Sequence, residues 1–256
     1  MLRQIGEFYH QGENDDTSRV WMTCWHHGGR ILASCGDDKA VRVWSLVGEP
    51  GTTQNCIWSV ERRSMTVTHG RFDPLRFLMT EKDEDEDFSV SSILQPHTQD
   101  VKQVVWHPTE DLLVSCSYDS SIRFYRYDGE DWVTQQKIDG CHVGTLFVRE
   151  NVDSKSADQD TWKSVARYEV ENTRWPLYSV TWNTTNDVIA TGGGDSKIRL
   201  FKISTSSESP VIEHLGVVGR HEFDVNHVVW NPNPKFSNLL TSASDDGTIR
   251  LWELEI

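Results

Sequence analysis

Two groups of side chains in this sequence have the composition of a hydrolytic triad. They are His97, Ser115 and Asp119 in one stretch, and His221, Ser242 and Asp246 in another, which Trp252 completes. In a hydrolase, an Asp orients the His that takes a proton from the nucleophilic Ser. The alternative is structural, because a buried carboxylate, imidazole and hydroxyl can hydrogen-bond one another at about 1 kcal/mol per bond. A catalytic set occurs once, whereas a hydroxyl and an Asp recur four times here, so the sequence favours the structural role.

The five cysteines are the second candidate for chemistry. Their number is odd and none has CxxC spacing, so neither a zinc site nor a disulfide framework is expected. Cys35 and Cys116 occupy a repeat position that Gly192 and Ala243 fill elsewhere, which predicts small, buried packing residues. Cys24 is expected to be buried as well. No phosphate-binding loop, nucleophile elbow or zinc motif occurs, so we expect no catalytic residues, no metal site and no cofactor.

Four repeats of one pattern supply the elements that must position these side chains. Each repeat opens on a Trp, reaches an Asp 13 or 16 residues later, and has an aromatic residue six positions after that Asp. The opening residues are Trp25, Trp106, Trp182 and Trp230, the acidic ones Asp38, Asp119, Asp195 and Asp246, and the closing ones Trp44, Tyr125, Phe201 and Trp252. Repeats of this kind are typical of WD40 units, each a four-stranded blade of an all-β propeller.

We expect one propeller domain over residues 1–256. Its clear repeats span 19–44, 100–125, 176–201 and 224–252, and its irregular segments, which predict incomplete blades, span 61–87 and 141–161. Residues 88–94 are expected to form a lone outer strand. Only four residues follow Trp252, too few for a fourth strand, whereas residues 2–8 have the composition of a strand. We therefore predict that 2–8 pairs antiparallel with 247–252 and closes the ring.

The composition limits the partners. The net charge of −14 argues against a phosphate-binding surface, so no nucleic-acid partner is expected. The sequence has no secretory signal and no apolar run near 18 residues, which predicts no membrane association. We expect the chain in the cytoplasm, with additional access to the nucleus left open.

Several stretches carry a more specific resemblance. They are HTQDVKQVVWHP at 97–108, SYDSSIRFYRYDGEDWV at 117–133, DVNHVVWNP at 224–232 and SDDGTIRLW at 244–252. These stretches resemble the cytosolic iron–sulfur protein assembly WD40 family. The resemblance implies a seven-bladed propeller that serves as a subunit of the complex delivering iron–sulfur clusters to apoproteins. It also implies an internally shortened chain, because the irregular segments fall where the second blade, most of the third and the middle of the fifth would lie.

A tripeptide within this resemblance suggests a docking signal. Phe124, Tyr125 and Arg126 lie where family members can show Leu-Tyr-Arg, a signal read by iron–sulfur co-chaperones. The resemblance implies a partner-binding role for these residues. The alternative is an ordinary strand end, because Tyr125 also fills the aromatic position of its repeat.

The function expected from the resemblance is that of a non-catalytic adaptor that docks other subunits of the targeting complex and client apoproteins. The alternative is a WD40 scaffold of another kind, such as a chromatin reader or a ubiquitin-ligase substrate adaptor. Loops on the face that carries the Asp turns are the expected binding surface. The candidate residues are Arg19, Trp21, Asp37, Asp100, Lys102, Tyr118, Tyr178, Asp224, Asn226 and Asp245.

Overall fold

A computed structural model describes residues 1–10, 18–38, 40–47, 57–61, 78–81, 88–107, 110–141, 144–152, 161–170, 174–204 and 210–255. The chain divides into two compact units, one of Met1–His69 with Ala166–Ile256 and one of Gly70–Val165. Within the described residues the secondary structure is β-strand apart from one short 3-10 helix at Pro234–Phe236. No helix there is long and apolar enough to cross a membrane.

Twenty strands follow one another along the described residues. The first ten are β1 (Leu2–Tyr9), β2 (Val20–Trp25), β3 (Ile31–Gly36), β4 (Val41–Val47), β5 (Ile57–Glu61), β6 (Leu78–Glu81), β7 (Phe88–Ser92), β8 (Val101–Trp106), β9 (Leu112–Ser117) and β10 (Ile122–Tyr127). The others are β11 (Trp132–Ile138), β12 (Thr145–Val152), β13 (Thr161–Glu169), β14 (Leu177–Asn183), β15 (Val188–Gly193), β16 (Lys197–Ser204), β17 (Val211–Arg220), β18 (Val225–Trp230), β19 (Leu239–Ser244) and β20 (Thr248–Leu254).

Four antiparallel sheets of four strands each correspond to the four clear repeats. Their strand orders are β2-β3-β4-β5, β8-β9-β10-β11, β14-β15-β16-β17 and β18-β19-β20-β1. Consecutive strands pair because their connections are only a few residues long. The predicted all-β WD40 propeller class, with four clear blades, is confirmed.

The predicted closure by the N-terminal strand is also confirmed. β1 runs antiparallel to β20, with Leu2 opposite Leu254 and Tyr9 opposite Thr248. The pairing covers the edge of β20 that the C-terminal end of the repeat leaves without a fourth strand. Leu2 is buried in the same core as Trp252. The last blade therefore depends on residues from both ends of the sequence.

Three blades of the first unit pack side by side. β14 contacts β18, and β18 and β19 contact β2. Trp230 packs with Leu200 and Val188 of the β14–β17 blade, and Trp25 packs with Leu239 and Ile249 of the last blade. Trp25 and Trp230, the opening tryptophans of two repeats, thus join the core between their own blade and the neighbouring one.

Two further sheets have two strands each among the described residues. β6 pairs with β7, with Glu81 opposite Phe88, and β12 pairs with β13. The expectation of a lone outer strand at 88–94 is therefore wrong, because the second half of the irregular segment 61–87 supplies its hairpin partner. Residues 62–77 and 82–87, and residues 153–160 of the second irregular segment, lie outside the described residues.

Candidate functional site

The His221 group forms a buried hydrogen-bonded chain. The Nδ1–H of His221 donates to Asp246 Oδ2 at 2.9 Å, and its Nε2 accepts from the Ser242 hydroxyl at 2.6 Å. Trp252 Nε1 donates to the same hydroxyl oxygen at 2.8 Å. The connectivity is that of a catalytic triad, but Ser242 is 0% exposed. A nucleophile must reach a substrate, so this chain can only link strands to one another.

The His97 group repeats this arrangement. His97 contacts Asp119 Oδ2 at 2.8 Å through Nδ1 and Ser115 Oγ at 2.6 Å through Nε2, and Ser115 lies 3.1 Å from the Tyr125 hydroxyl. Burial alone would raise the pKa of Asp119, but hydrogen bonds from Ser121 and His97 hold it well below its usual range. The pKa of Asp246 is lowered in the same way, chiefly by His221.

The first blade holds a third such chain, which sequence reasoning missed. His10 lies 2.7 Å from Ser34 Oγ, and Trp44 Nε1 donates to that oxygen at 2.9 Å. The sequence signal that could have revealed it is a histidine 28 residues before Asp38. In the other two groups the histidine lies 22 and 25 residues before its Asp. The variable distance hid it, because the loop between His10 and β2 is longer than its counterparts.

The three histidines differ in tautomer. Arg42 Nη1 lies 2.7 Å from Nδ1 of His10, closer than Asp38 Oδ1 at 3.4 Å, and a guanidinium can only donate, so this contact makes Nδ1 the acceptor and leaves the Nε2–H to donate to Ser34. In the other two groups the closest partner of Nδ1 is a carboxylate, which requires the proton to be on Nδ1. Burial and the Arg42 charge lower the pKa of His10 to about 4. Arg42 also binds Asp38, and this contact outweighs burial to keep the pKa of Asp38 below its usual value.

Asp195 of the third repeat is held by an arginine. Arg199 donates to both carboxylate oxygens of Asp195, one of them at 3.1 Å. Burial opposes this effect, but the Arg199 contact keeps the pKa of Asp195 below its usual value. Thr191 occupies the hydroxyl position, and its Oγ1 has no hydrogen-bond partner in the described part of the chain. The repeat aspartate of this blade, Asp195, is therefore bound by an arginine, whereas Asp119 and Asp246 are bound by a histidine.

Each blade's first strand carries a β-bulge near its start. The register shifts between Val20 and Met22, Val101 and Gln103, Leu177 and Ser179, and Val225 and His227. A bulge re-aims the extra side chain, here Trp21, Lys102, Tyr178 or Asn226. Four of the predicted partner-binding residues therefore occupy one repeated position. We call them the bulge residues.

In the first blade the bulge residue meets two other predicted residues. Trp21 Nε1 donates to Asp37 Oδ1 at 2.7 Å, and Arg19 Nε donates to Asp37 Oδ2 at 2.6 Å. The Arg19 guanidinium carbon lies 4.9 Å from the centre of the Trp21 ring. All three residues are exposed, so this pre-ordered cluster is open to a partner.

The second unit carries an equivalent cluster. Lys102 Nζ lies 4.0 Å from the centre of the Tyr118 ring and 4.0 Å from Asp100 Oδ2. Tyr118 is 38% exposed, and Asp100 and Lys102 are exposed too. The structure thus brings together the three residues predicted from this repeat.

The remaining predicted residues bridge neighbouring blades of the first unit. The Tyr178 hydroxyl donates to Asp224 Oδ2 of the last blade at 3.0 Å. Asn226 Nδ2 donates to Asp245 Oδ1 at 2.7 Å and to the Val20 carbonyl of the first blade at 2.9 Å. These bonds place the bulge residues of three blades in one continuous row.

Gly194 explains why Tyr178 reaches across to the next blade. In the other blades the residue before the repeat Asp contacts the bulge residue of its own blade. A Cβ at Gly194 would lie 2.9 Å from the Tyr178 hydroxyl and 3.5 Å from Asp224 Oδ2. The missing side chain leaves the space in which these two residues meet.

The docking role implied for the tripeptide does not fit its burial. Phe124 is 4% exposed and Tyr125 is 0% exposed, whereas Arg126 is half-buried. Phe124 stacks on Trp162 with ring centres 5.3 Å apart. The rings of Phe124 and Tyr125 are inaccessible to a partner because both belong to the core of the blade. The tripeptide therefore has the geometry of the alternative, an ordinary strand.

The cysteines are less buried than expected. Cys24 is exposed, so the expectation of burial is wrong there, and Cys35 and Cys116 are only partly buried. Burial still raises the pKa of both the Cys35 and the Cys116 thiol. Within the described residues no group of three His, Cys, Asp or Glu side chains could hold a metal ion. Cys56 lies outside the described residues.

Comparison with known proteins identifies the repeat. The family described as "WD domain, G-beta repeat" matches residues 5–45, 88–126, 162–202 and 212–253, which make up more than half of the chain. A Caenorhabditis elegans protein, "Probable cytosolic iron-sulfur protein assembly protein CIAO1 homolog", is 65% identical over 339 residues, covering 100% of both chains. A protein of the same name from Ixodes scapularis is 29% identical over 254 residues, covering 72% of this chain and 80% of its own.

A chromatin protein matches a smaller part. A component of chromatin assembly factor 1 from Schizosaccharomyces pombe is 41% identical over 86 residues, covering 33% of this chain and 16% of its own.

The alignment with the C. elegans protein spans 339 positions, whereas this chain has 256 residues, so at least 83 positions have no counterpart here. The expected internal shortening relative to the family agrees with this difference.

Proposed function

Because this chain belongs to the WD40 family of cytosolic iron–sulfur protein assembly proteins, we propose that it is a non-catalytic adaptor of that machinery. It docks other subunits of the targeting complex and client apoproteins, and the iron–sulfur cluster is cargo rather than a resident cofactor. The observation that carries the proposal is the similarity to the C. elegans protein, which extends over the whole of both chains. We place its action in the cytoplasm, with the nucleus as a second compartment.

The geometry supports an adaptor in two ways. The Ser–His–Asp groups are buried struts, with Ser115 1% and Ser242 0% exposed, so neither hydroxyl reaches a substrate. The bulge residues, in contrast, are held by hydrogen bonds or ring contacts on regular sheets. A pre-ordered surface of this kind loses little conformational entropy when a partner binds. Exposed Trp and Tyr side chains, such as Trp21 and Tyr118, are typical centres of binding energy.

Purification of the tagged chain from cells of its own organism tests this function. We expect cytosolic iron–sulfur assembly proteins to be enriched over a tag-only control, as measured by quantitative mass spectrometry. A triple variant, Trp21→Ala, Tyr178→Ala and Asn226→Ala, probes the row of bulge residues in the first unit. Recovery of no assembly protein with the wild-type chain would overturn the proposal.

A chromatin-associated scaffold is the second candidate function. The observation that favours it is the identity to a chromatin assembly factor component over about a third of this chain. The same purification separates the two candidates, because a chromatin scaffold would enrich histones or their chaperones. Enrichment of histones without assembly proteins would replace the first candidate by the second.

A further inference from the structure

The contact between the β14–β17 blade and the last blade shows which blade faces fit together. Trp230 and Val228 pack with Val188 across this contact. The Trp230 N–H donates to the Thr181 hydroxyl at 3.2 Å, and the Val228 N–H donates to the Ser179 hydroxyl at 3.1 Å. We call the side of a blade with Val228 and Trp230 its leading face. The opposite side, which receives it, is the trailing face and carries Ser179, Thr181 and Val188.

The first unit keeps one leading face exposed, on the β14–β17 blade. Val180 and Trp182 occupy there the repeat positions of the packed pair in the last blade. Val180 is 43% exposed and Trp182 is 47% exposed. Tyr168 covers only the outer part of this face, where its ring packs against Phe201. The inner part of the face therefore presents apolar side chains that a further blade could cover.

The same unit keeps one trailing face exposed, on the β2–β5 blade at the other end of the series. Met22, Cys24 and Ile31 occupy there the three repeat positions of the trailing face. Met22 is 49% exposed, Ile31 is 39% exposed, and Cys24 is exposed as well. The two positions that carry hydroxyls in the β14–β17 blade carry Met22 and Cys24 here, so this face is apolar. The series of three blades thus ends in a leading face on one side and a trailing face on the other.

We propose that copies of this chain associate head to tail, with Trp182 of one copy packed against Met22 and Ile31 of the next. The contact repeats the packing of Trp230 on the β14–β17 blade within the chain. Only the inner strands meet, namely β14 of one copy with β2 and β3 of the next, because Tyr168 occupies the outer part of the leading face. Two different faces meet, so each copy keeps one face available for another copy. This inference goes beyond the adaptor function and does not depend on it.

The association is expected to be weak and driven by apolar burial. Five partly exposed side chains take part, far fewer than the roughly 20–30 residues a side of a stable interface. The net charge of −14 makes copies repel one another at low ionic strength. Salt screens this repulsion and leaves the apolar contact intact, so the association should strengthen as salt increases.

Sedimentation velocity of the full chain at increasing concentration tests the association. We expect species of two and more copies that grow with protein and salt concentration and disappear on dilution. A chain that stays monomeric at every concentration would overturn the inference, because another part of the chain or a different protein would then be the occupant of these faces.

Single variants assign the association to the two faces. Trp182→Glu alters the leading face and Ile31→Glu the trailing face, and each should weaken self-association at least about tenfold because a charge enters an apolar contact. Val211→Glu is the matched control, since Val211 is an exposed apolar residue on the outer strand β17 of the same unit. It should leave the association unchanged. Equal self-association of wild type and both face variants, with the fold checked by circular dichroism, would overturn the inference.

A mixture of the two face variants tests the head-to-tail arrangement. The Trp182→Glu chain keeps an intact trailing face, and the Ile31→Glu chain keeps an intact leading face. Mixed in equal amounts, they should form dimers with one copy of each but no longer assemblies, as measured by fluorescence-detected sedimentation with one variant labelled. Failure of the folded variants to pair would contradict the arrangement. Undiminished self-association of Ile31→Glu alone would also contradict it, because it would indicate a symmetric contact through Trp182.

Discussion

The opening tryptophans of the four repeats fall into two classes. Trp25 is 6% exposed and Trp230 is 4% exposed, whereas Trp106 is 49% exposed and Trp182 is 47% exposed. The buried pair follows blades of four strands, and the exposed pair follows the sheets β6–β7 and β12–β13, of which two strands each lie in the described residues. The same sequence position is therefore core after a four-stranded blade and surface after a sheet with two described strands.

The third repeat shows how an incomplete neighbour acts. Tyr168 of β13 covers the outer part of this blade, with ring centres 5.4 Å from Phe201 and 5.8 Å from His214. Val180 and Trp182 on the inner strand stay exposed. Tyr168 thus packs against the outer part of the blade, whereas the inner strand keeps apolar side chains exposed in the described part of the chain. The inner apolar face has the exposure expected of an unfilled interface.

Truncating the buried and exposed tryptophans should give very different losses. We expect Trp230→Ala to lower the free energy of unfolding by about 3–5 kcal/mol, because it leaves a cavity between two blades. Trp182→Ala should lower it by less than about 1 kcal/mol, since half of that side chain already contacts solvent. Urea unfolding followed by circular dichroism measures both, and equal losses would break the comparison.

Acid should lower the free energy of unfolding of the well-packed blades that contain Trp25 and Trp230. The responsible group is His10, which joins the closing strand β1 to the first blade. The pKa of His10 is lowered to about 4 by burial and by Arg42, from 6.5 in an unperturbed histidine. Between these values the unfolded chain binds a proton that the folded chain does not. The free energy of unfolding therefore falls as pH falls from about 6.5 to 4, by about 3 kcal/mol for this group.

Urea unfolding at pH 7 and near pH 4.5 checks this expectation against His10→Asn, which cannot take up the proton. The variant should be less stable at pH 7 but lose less on acidification. It should keep the part of the slope that comes from His227, whose pKa burial also lowers to about 4. The same loss in wild type and variant would contradict the assignment to His10.

Completing the preceding blades should move the exposed pair into the buried class. Inserting the positions that the C. elegans protein has and this chain lacks should bury Trp106 and Trp182. The gain is about 1 kcal/mol for each half-exposed ring, so the two rings together raise the melting midpoint by roughly 4–8 °C. Calorimetry and acrylamide quenching of tryptophan fluorescence measure the effect. A single cooperative melt of the short chain at the temperature of the completed chain would refute it.

The smallest effect is expected from a polar substitution on the exposed side. Trp182→Gln should change the free energy of unfolding by less than about 0.5–1 kcal/mol, and it should reduce binding of an apolar dye and aggregation on heating. Trp25→Gln is the control, and it should destabilise the chain while increasing dye binding. If Trp182→Gln left dye binding unchanged, the exposed tryptophan would not be the apolar surface that the dye detects.

The repeat frame allowed much of the blade structure to be predicted. Strands β8 to β11 follow the pattern of apolar residues and turn signals between Val101 and Ile138. The pairing of β1 with β20 followed from a count, because too few residues remained after Trp252 for another strand. The β6–β7 hairpin was missed because residues 78–81 carry no repeat signal. The bulges were missed because a bulge depends on pairing with a second strand, which strand composition does not encode.

The sequence by itself determined the four blades, their turn aspartates and the closing strand, because strand propensity, turn chemistry and repeat spacing are local properties of the chain. The tertiary structure decided which tryptophans are buried and that Phe124 and Tyr125 belong to the core. It also decided that Tyr178 meets Asp224 across a gap left by Gly194. These outcomes depend on side chains far away in the sequence, and burial, hydrogen-bond partners and charge are set by such neighbours.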